Sequence, residues 1–423
     1  MELVSSRPDF FAVRPAAQSA ATKLNDFIYL SEGLSNSYMI VTPAGRVIVN
    51  TGMGFEAPVH KRVFDAVCAG PTPYIVLTQG HVDHVGGVGL FRAPETRLVA
   101  HRALPLCQQD DQRIKAIREA QSATWFRHVF AAMAASGAAR PVAPPVQDVP
   151  MADISFDDRL ELECGGLSLE LLSTPGGETI DSCVVWLRQH GIVFCGNLFG
   201  PLFPHFPNFN TIRGDKYRWV EPYLASLRRV RALEPEMLIT GHFQPIVGAA
   251  LIRGCLDRLE GAVDFVHRET LKGMNRGTDI WTLMREVRLP TELEVGEGYG
   301  QVSWAVRTIW ESYMGWFKAR ATSELYATPP HEIFPDLVRL AGIDLVVARG
   351  EDQLAVDAEA ALLLAEAALA AEPGHCGALQ LALQAHRQLL ERSGGRNFWE
   401  TGWLRTQVER LEATLAQSHS RRR

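Results

Sequence analysis

The spacing of apolar and polar positions changes character once along this chain. Up to about residue 250 it reads as short strands punctuated by turns, and beyond that as nearly continuous helix. Residues 27–30, 37–41 and 46–49, with a Pro43-Ala44-Gly45 turn, predict a β-meander whose last strand ends in Asn50-Thr51-Gly52. A helix over about 57–69 and a short buried strand at 74–77 follow. Residues 103–136 place Ile114, Ile117, Trp125, Val129 and Met133 at roughly helical spacing. They predict an inserted helical segment that either packs on the core or walls a site, closed by a Pro/Ala-rich connector over 140–150. Strand character returns at 160–163, 167–172, 182–187 and 192–195. A helix over 217–233 then leads to a strand at 237–240 and the loop Gly241-His242. Two β-rich halves, each with helices, predict an α/β fold: a four-layered αββα sandwich with its chemistry at the strand ends.

The helical remainder predicts a second, all-α domain over 251–423, after a first over 1–250. Within it, residues 358–371 and 378–391 flank Glu372-Pro373-Gly374 and predict a helical hairpin, similar to one tetratricopeptide-like pair. A single pair is no solenoid.

Composition narrows the function. A chain of 423 residues is too long for one compact core. Hydrophobic residues at 47% and charged residues at 21% are those of a soluble globular protein. The net charge, 42 − 48 = −6, gives no general attraction for nucleic acid or an anionic membrane. Arg421-Arg422-Arg423 reads as a solvated tail. No stretch has the length of a bilayer span, and the first thirty residues show no apolar signal region. Seven cysteines without Cys-x-x-Cys spacing predict reduced thiols in a cytoplasmic protein.

The chemistry concentrates in Thr78-Gln79-Gly80-His81-Val82-Asp83-His84-Val85-Gly86-Gly87. Two imidazoles and a carboxylate within four residues, at a strand end and beside glycines, form a ligand set for a borderline divalent ion. The stretch resembles the His-x-His-x-Asp-His signature of the metallo-β-lactamase superfamily, with Gln79 in place of the first His. Further motifs resemble the alkyl sulfatase branch: Thr174-Pro175-Gly176-Gly177-Glu178, the run from Phe206 to Gly214, Gly241-His242-Phe243-Gln244-Pro245, and Tyr299-Gly300-Gln301-Val302-Ser303. Met314-Gly315-Trp316-Phe317 and Arg396-Asn397-Phe398-Trp399-Glu400-Thr401-Gly402 are similar to its helical dimerisation domain. The similarity spans about residues 25–410 and has no counterpart of the branch's sterol-carrier-like domain.

That resemblance implies two metal half-sites. His81 and Glu178, with Gln79, would serve one, and Asp83, His84 and His242 the other. The bridging acid of the family falls on Gly196 or on Asn197, so no anionic bridge remains. The second half-site keeps the three protein ligands of a catalytic zinc. A single zinc there is therefore the first expectation, and a dinuclear site with a weakened first metal, iron or manganese, is the second, since glutamine suits harder ions. Asp83 would hold the metal-activated water and accept its proton. Arg213 and Asn208 resemble sulfate contacts, Asn197 lies at the same turn, and Trp304 stands where the branch has a His after Val-Ser. Phe199, Phe203, Phe206 and Phe209 read as an aromatic wall or as core. The expected protein is a cytoplasmic homodimer hydrolysing a small, partly hydrophobic ester, thioester or sulfate. An iron-dependent, oxygen-activating enzyme and a non-catalytic binding protein are the alternatives.

Overall fold

A computed structural model describes residues 2–138, 147–209, 212–216 and 218–421. Among these, thirteen strands form two sheets. The first runs in order β1 (Thr22–Lys23), β2 (Ile28–Ser31), β3 (Ser37–Thr42), β4 (Gly45–Val49), β5 (Tyr74–Val76), β6 (Arg97–His101) and β7 (Ile154–Phe156). The meander β1 to β4 is antiparallel, and β4 to β7 are parallel. The second sheet contains β8 (Arg159–Cys164), β9 (Leu167–Ser173), β10 (Cys183–Leu187), β11 (Ile192–Gly196), β12 (Met237–Thr240) and β13 (Ile246–Val247). Its one parallel pair is β11 with β12.

Period-two alternation builds the layers. Ile40, Val47, Val49, Val76 and Val99 point inward and meet Leu169, Leu171, Val185 and Phe194 of the second sheet. Their neighbours Met39, Ile48, Ile75, Leu98 and Ala100 point outward, onto Val63 and Phe64 of the helix Ala57–Asp65 and onto Phe91. On the far side, Val184, Trp186, Val193 and Leu238 pack on Tyr223 and Leu227 of the helix Val220–Arg231 and on Leu256 and Val263 of the helix Ala249–Asn275. The αββα sandwich read from the sequence is the one observed.

The structure bears on three of these readings. The helix that opens the all-α stretch, Ala249–Asn275, is part of the first compact unit, which runs to Ser312, because its apolar face lies on the second sheet. The compact units therefore divide later than residue 250. Phe199, Phe203, Phe206 and Phe209 are almost fully buried within that same core and are not a cavity wall. Ile117, expected on a buried helical face, is exposed, whereas Trp125 and Val129 are buried. The insertion itself forms three helices, Leu104–Arg113, Lys115–Trp125 and Arg127–Ala138. Residues 140–146 of the expected connector, Asn210 and Thr211 of the run from Phe206 to Gly214, Tyr217 and the final two arginines lie outside the described residues.

The second unit, Tyr313–Arg423, holds the expected hairpin as Ala358–Ala371 and Cys376–Ser393. Small side chains let these helices approach: Ala361, Ala365 and Ala382 are buried together with Leu381. Asp357 caps the first helix by accepting from the Glu359 and Ala360 amides. Asn397 caps the last, Phe398–Arg421, through the Trp399 and Glu400 amides. No helix among the described residues is long and apolar enough to cross a membrane.

The loop after the second sheet's core is tied to residues 296–298 through His205. Phe206 donates to the Gly296 carbonyl (2.7 Å), and the Gly298 amide donates to His205 Nδ1 (3.0 Å). Burial, helped by the Arg7 charge, lowers the His205 pKa to about 4. Above pH 6.5 the ring is neutral in both folded and unfolded chains. As pH falls from 6.5 towards 4 the unfolded chain gains a proton that the folded one refuses, so stability is lost in that window. Denaturant unfolding at pH 7 and pH 5 should show this loss, and His205→Gln, which can still accept from Gly298, should show less of it.

Candidate metal centre

The parallel strands β4, β5, β11 and β12 deliver their carboxyl ends to the same place, and the chain after each carries the polar groups. Asn50 fastens the first two. In left-handed conformation (φ 58°), it donates its amide to the Val76 carbonyl (2.9 Å) and clasps Thr78 with its side chain. Its Oδ1 accepts from the Thr78 amide (3.0 Å), and its Nδ2 donates to Thr78 Oγ1 (2.9 Å). Asparagine tolerates this backbone better than most residues. The Thr51 amide then donates to the His84 carbonyl (2.8 Å), and Gly86 to the Gly52 carbonyl (2.8 Å). Between these bonds, residues Val82–Val85 form one helical turn that carries Asp83 and His84.

His84, His242 and Asp83 have the chemistry of a cation site. His84 is fully buried, and Ser35 Oγ lies 3.1 Å from its Nδ1 and 3.2 Å from its Nε2 while donating to the Gly241 carbonyl (3.2 Å). The serine proton is thus used, and the ring is the donor to Ser35, which leaves the neutral imidazole one lone pair. Burial above all pushes the His84 pKa down to about 4. Burial also lowers His242, whose Nδ1 has no partner among the described residues. A buried, unpartnered nitrogen is costly unless something binds it. For Asp83, burial opposes ionisation, but His84, His81 and His242 outweigh it and hold the carboxyl below its usual range. Asp83 Oδ2 stands 3.7 Å from His84 Nε2. Two neutral imidazoles and an ionised carboxylate fit one divalent ion in donor type and charge. Among the described residues, no three His, Cys, Asp or Glu side chains are already gathered around one point.

The other half is arranged differently. Gln79 Oε1 accepts from the Asn197 amide (3.2 Å), which turns its Nε2 onto His81 Nδ1 (3.0 Å). His81 Nε2 faces Asp215 Oδ2 at 3.7 Å, and its Nδ1 edge lies 3.6 Å from Glu178 Oε2. Burial disfavours the imidazolium, but Asp215 and Glu178 outweigh it and raise the His81 pKa, whereas the Gln79 amide favours the neutral ring. Glu178 Oε2 accepts from Asn197 Nδ2 (2.9 Å), and Oε1 lies 3.8 Å from Arg218 Nη1. Burial works against the Glu178 charge; His81, Arg218 and Asn197 hold its pKa far below the carboxylate range. Neither candidate for the bridging acid can serve. Gly196 sits at φ +51° with Thr78 Oγ1 where its Cβ would be, and Asn197 is a neutral amide whose Nδ2 donates to Glu178 while its Oδ1 is buried without a hydrogen-bond partner among the described residues.

The remaining predicted residues lie around this centre or apart from it. Asn208 is buried, and its carbonyl accepts from Arg218 Nη1 (3.0 Å). Arg213 lies 5.5 Å over the ring of Phe126, at the joint between two insertion helices. Lys216 pairs with Asp110 of the first insertion helix, so the insertion touches the loop that carries Asp215. Trp304 is half-buried on the helix Val302–Met314. Several participants went unnoticed in the sequence: Ser35, Asp215, Arg218, Tyr299 and Phe10. Phe10 packs edge-on against His242 (5.7 Å) and Tyr299 (4.9 Å) and so covers one side of the centre. Tyr299 is buried, and burial followed by the Glu178 charge keeps its phenol protonated. It belonged to a quoted motif, and an aromatic hydroxyl next to glycines was the available signal; Asp215 and Arg218 carried none.

Comparison with known proteins agrees with this architecture. A profile described as "Metallo-beta-lactamase superfamily" matches residues 30–242, half of the chain, and one described as "Alkyl sulfatase dimerisation" matches 282–407. A linear primary-alkylsulfatase of Pseudomonas sp. is 26% identical over 416 residues, covering 91% of this chain and 76% of its own. The alkyl/aryl-sulfatase BDS1 of Saccharomyces cerevisiae is 25% identical over 193 residues, 44% of this chain and 29% of its own. Among solved structures, the stereoselective inverting sec-alkylsulfatase Pisa1 from Pseudomonas sp. superposes with a TM-score of 0.78 at 18% identity, covering 95% of this chain. This chain spans 66% of that protein's length. The chain belongs to the metallo-β-lactamase superfamily and carries an alkyl sulfatase dimerisation region behind its metallo-β-lactamase domain.

Proposed function

We propose that this protein is a metal-dependent hydrolase that cleaves a sulfate ester, or a related ester or thioester, of a small and partly hydrophobic molecule. The observation that carries this reading is the donor set Asp83, His84 and His242, with an unpartnered buried nitrogen on His242. The likeness to sulfatases ranks sulfate esters first. A divalent ion held by these three residues, zinc in the first instance, would supply a water of lowered pKa and an electrophile for the substrate oxygen. Asp83, whose carboxyl is held below its usual range, would orient that water and accept its proton. Arg213, steadied by the Phe126 ring, and the Asn208 side chain supply charge and hydrogen bonds to the group being cleaved. Phe10 and Tyr299 keep bulk water from one side of the centre.

The second unit supports a homodimer. Its family match is to a dimerisation region, and Trp316, Leu337, Leu340, Leu345 and Leu363 are exposed apolar side chains within it. Of the large apolar side chains between Tyr299 and Phe317, Ile309 and Trp310 are buried in the first unit's core, and Tyr313 and Trp316 are exposed. The reduced state of all seven cysteines suits a cytoplasmic protein.

Three measurements test these readings. Metal content after purification without added metal should fall about tenfold or more in Asp83→Ala and His242→Ala and little in Gln79→Ala, and the same order should hold for turnover of a medium-chain alkyl sulfate. Equal loss in all three variants would sink the single-site reading; turnover that requires oxygen, or no turnover on sulfate, ester and thioester alike, would sink the hydrolase. Putting the family's acid back as Gly196→Glu should bring no second metal and should destabilise the fold by at least about 1–3 kcal/mol, from the left-handed backbone alone. Sedimentation should show a dimer at micromolar concentration, and a monomer there would remove the dimer claim.

A further inference from the structure

Asp215 and Arg218 complete a ring of charged and polar side chains that the ligand pattern of the sequence did not contain. Going round it, His81 Nδ1 lies 3.6 Å from Glu178 Oε2, and Glu178 Oε1 lies 3.8 Å from Arg218 Nη1. Arg218 Nη2 then lies 3.8 Å from Asp215 Oδ2, which is 3.7 Å from His81 Nε2. The guanidinium is held in place by the Asn208 carbonyl (3.0 Å) and is only 11% exposed. We propose that this ring has replaced the first metal half-site, with the Arg218 guanidinium supplying the positive charge that a cation would otherwise bring to Glu178.

Three features of the ring argue against a metal ion among the same side chains. An imidazole binds a metal through a lone pair. The one on His81 Nδ1 is engaged by the Gln79 amide, and Nε2, which then carries the proton, faces Asp215. The two carboxylates stand on opposite nitrogens of the ring, so they cannot join a single ion together with one of its nitrogens. A divalent ion against Glu178 would also face a fixed guanidinium at close range in a site of low polarity, where like charges repel strongly. The change from histidine to Gln79 thus fits a larger change, in which a hydrogen-bond donor and a permanent cation take over from a coordination shell. Arg218 is here a positioning residue: it holds Glu178 and, through Asp215, His81.

This inference rests on a single metal at Asp83, His84 and His242, and the two fail differently. Metal-free protein would be titrated with cobalt(II), followed by its visible absorption and by metal analysis after gel filtration. The wild type should saturate at one equivalent. Arg218→Ala, which leaves two carboxylates without their cation, should take up a second, whereas Arg218→Lys should remain at one. His81→Ala should keep the wild-type equivalent, and it serves as the test should Arg218→Ala not fold. Two equivalents in the wild type, one in Arg218→Ala, or loss of the equivalent in His81→Ala would each overturn the ring as a replacement for the metal. A wild type that binds none would overturn the metal reading of the preceding subsection, and the ring would then still require uptake of one equivalent by Arg218→Ala.

Discussion

Three carboxylates, those of Asp83, Glu178 and Asp215, are gathered at the carboxyl ends of two facing sheets, and each has to be matched by positive charge or by hydrogen-bond donors. Leaving one such charge buried and unpaired costs several kcal/mol, on the order of the whole stability of a domain. The local design follows from that constraint. Glu178 takes a donor from Asn197 and the field of Arg218; Asp215 takes His81 and Arg218; Asp83 takes His84, His81 and His242. Of the three, Asp83 is the one that faces two imidazoles whose pKa values burial lowers, and this is why the metal reading centres on it.

The scaffold meets the demand by bringing distant segments to one point with few degrees of freedom. Asn50 and Thr78 lock the end of one strand to the start of the loop beyond another, and the Gly241 amide ties to the Gly196 carbonyl (2.8 Å) across the second sheet. Two glycines are required by space rather than by flexibility. A Cβ on Gly241 would overlap Asn197 Oδ1, and one on Gly196 would overlap Thr78. The turn that might have carried a bridging acid is therefore committed to close backbone packing. A substitution of ligands alone does not describe the divergence, because the backbone that would present the missing ligand has closed as well.

Cover over the centre comes from segments outside the sandwich. Phe10, from the first residues of the chain, rests on His242 and Tyr299, while the insertion supplies Phe126 beneath Arg213 and Asp110 opposite Lys216. The four phenylalanines near the Asn197 turn do not take part, being consumed by the core between the second sheet and its helices. These peripheral segments can change without disturbing the layers beneath.

The layers themselves were legible in the sequence, because a period of two leaves little choice once one face is buried. Val47, Val49 and Val76 had to face the partner sheet, and Ile48 and Ile75 the helices, whereas the strands Arg97–His101 and Ile154–Phe156 were not read from the sequence. The short edge strands Thr22–Lys23 and Ile246–Val247 were not legible, being too brief to show a period. Asp83 and His84 could be named as candidate ligands from local spacing at a strand end, and His242 from the resemblance of Gly241-His242-Phe243-Gln244-Pro245 to the alkyl sulfatase branch. The role of Gln79 could not, because an amide reads equally as a weak ligand or as a hydrogen-bond donor until its partners are known. Asp215 and Arg218 were invisible for the same reason: a charged residue in a loop has meaning only through what stands opposite it. Sequence pattern determined the sheets and the candidate ligands of one half-site. Tertiary structure alone decided that the other half-site closes on itself, because only folding brings residues 79, 81, 178, 197, 215 and 218 within reach of one another's charges.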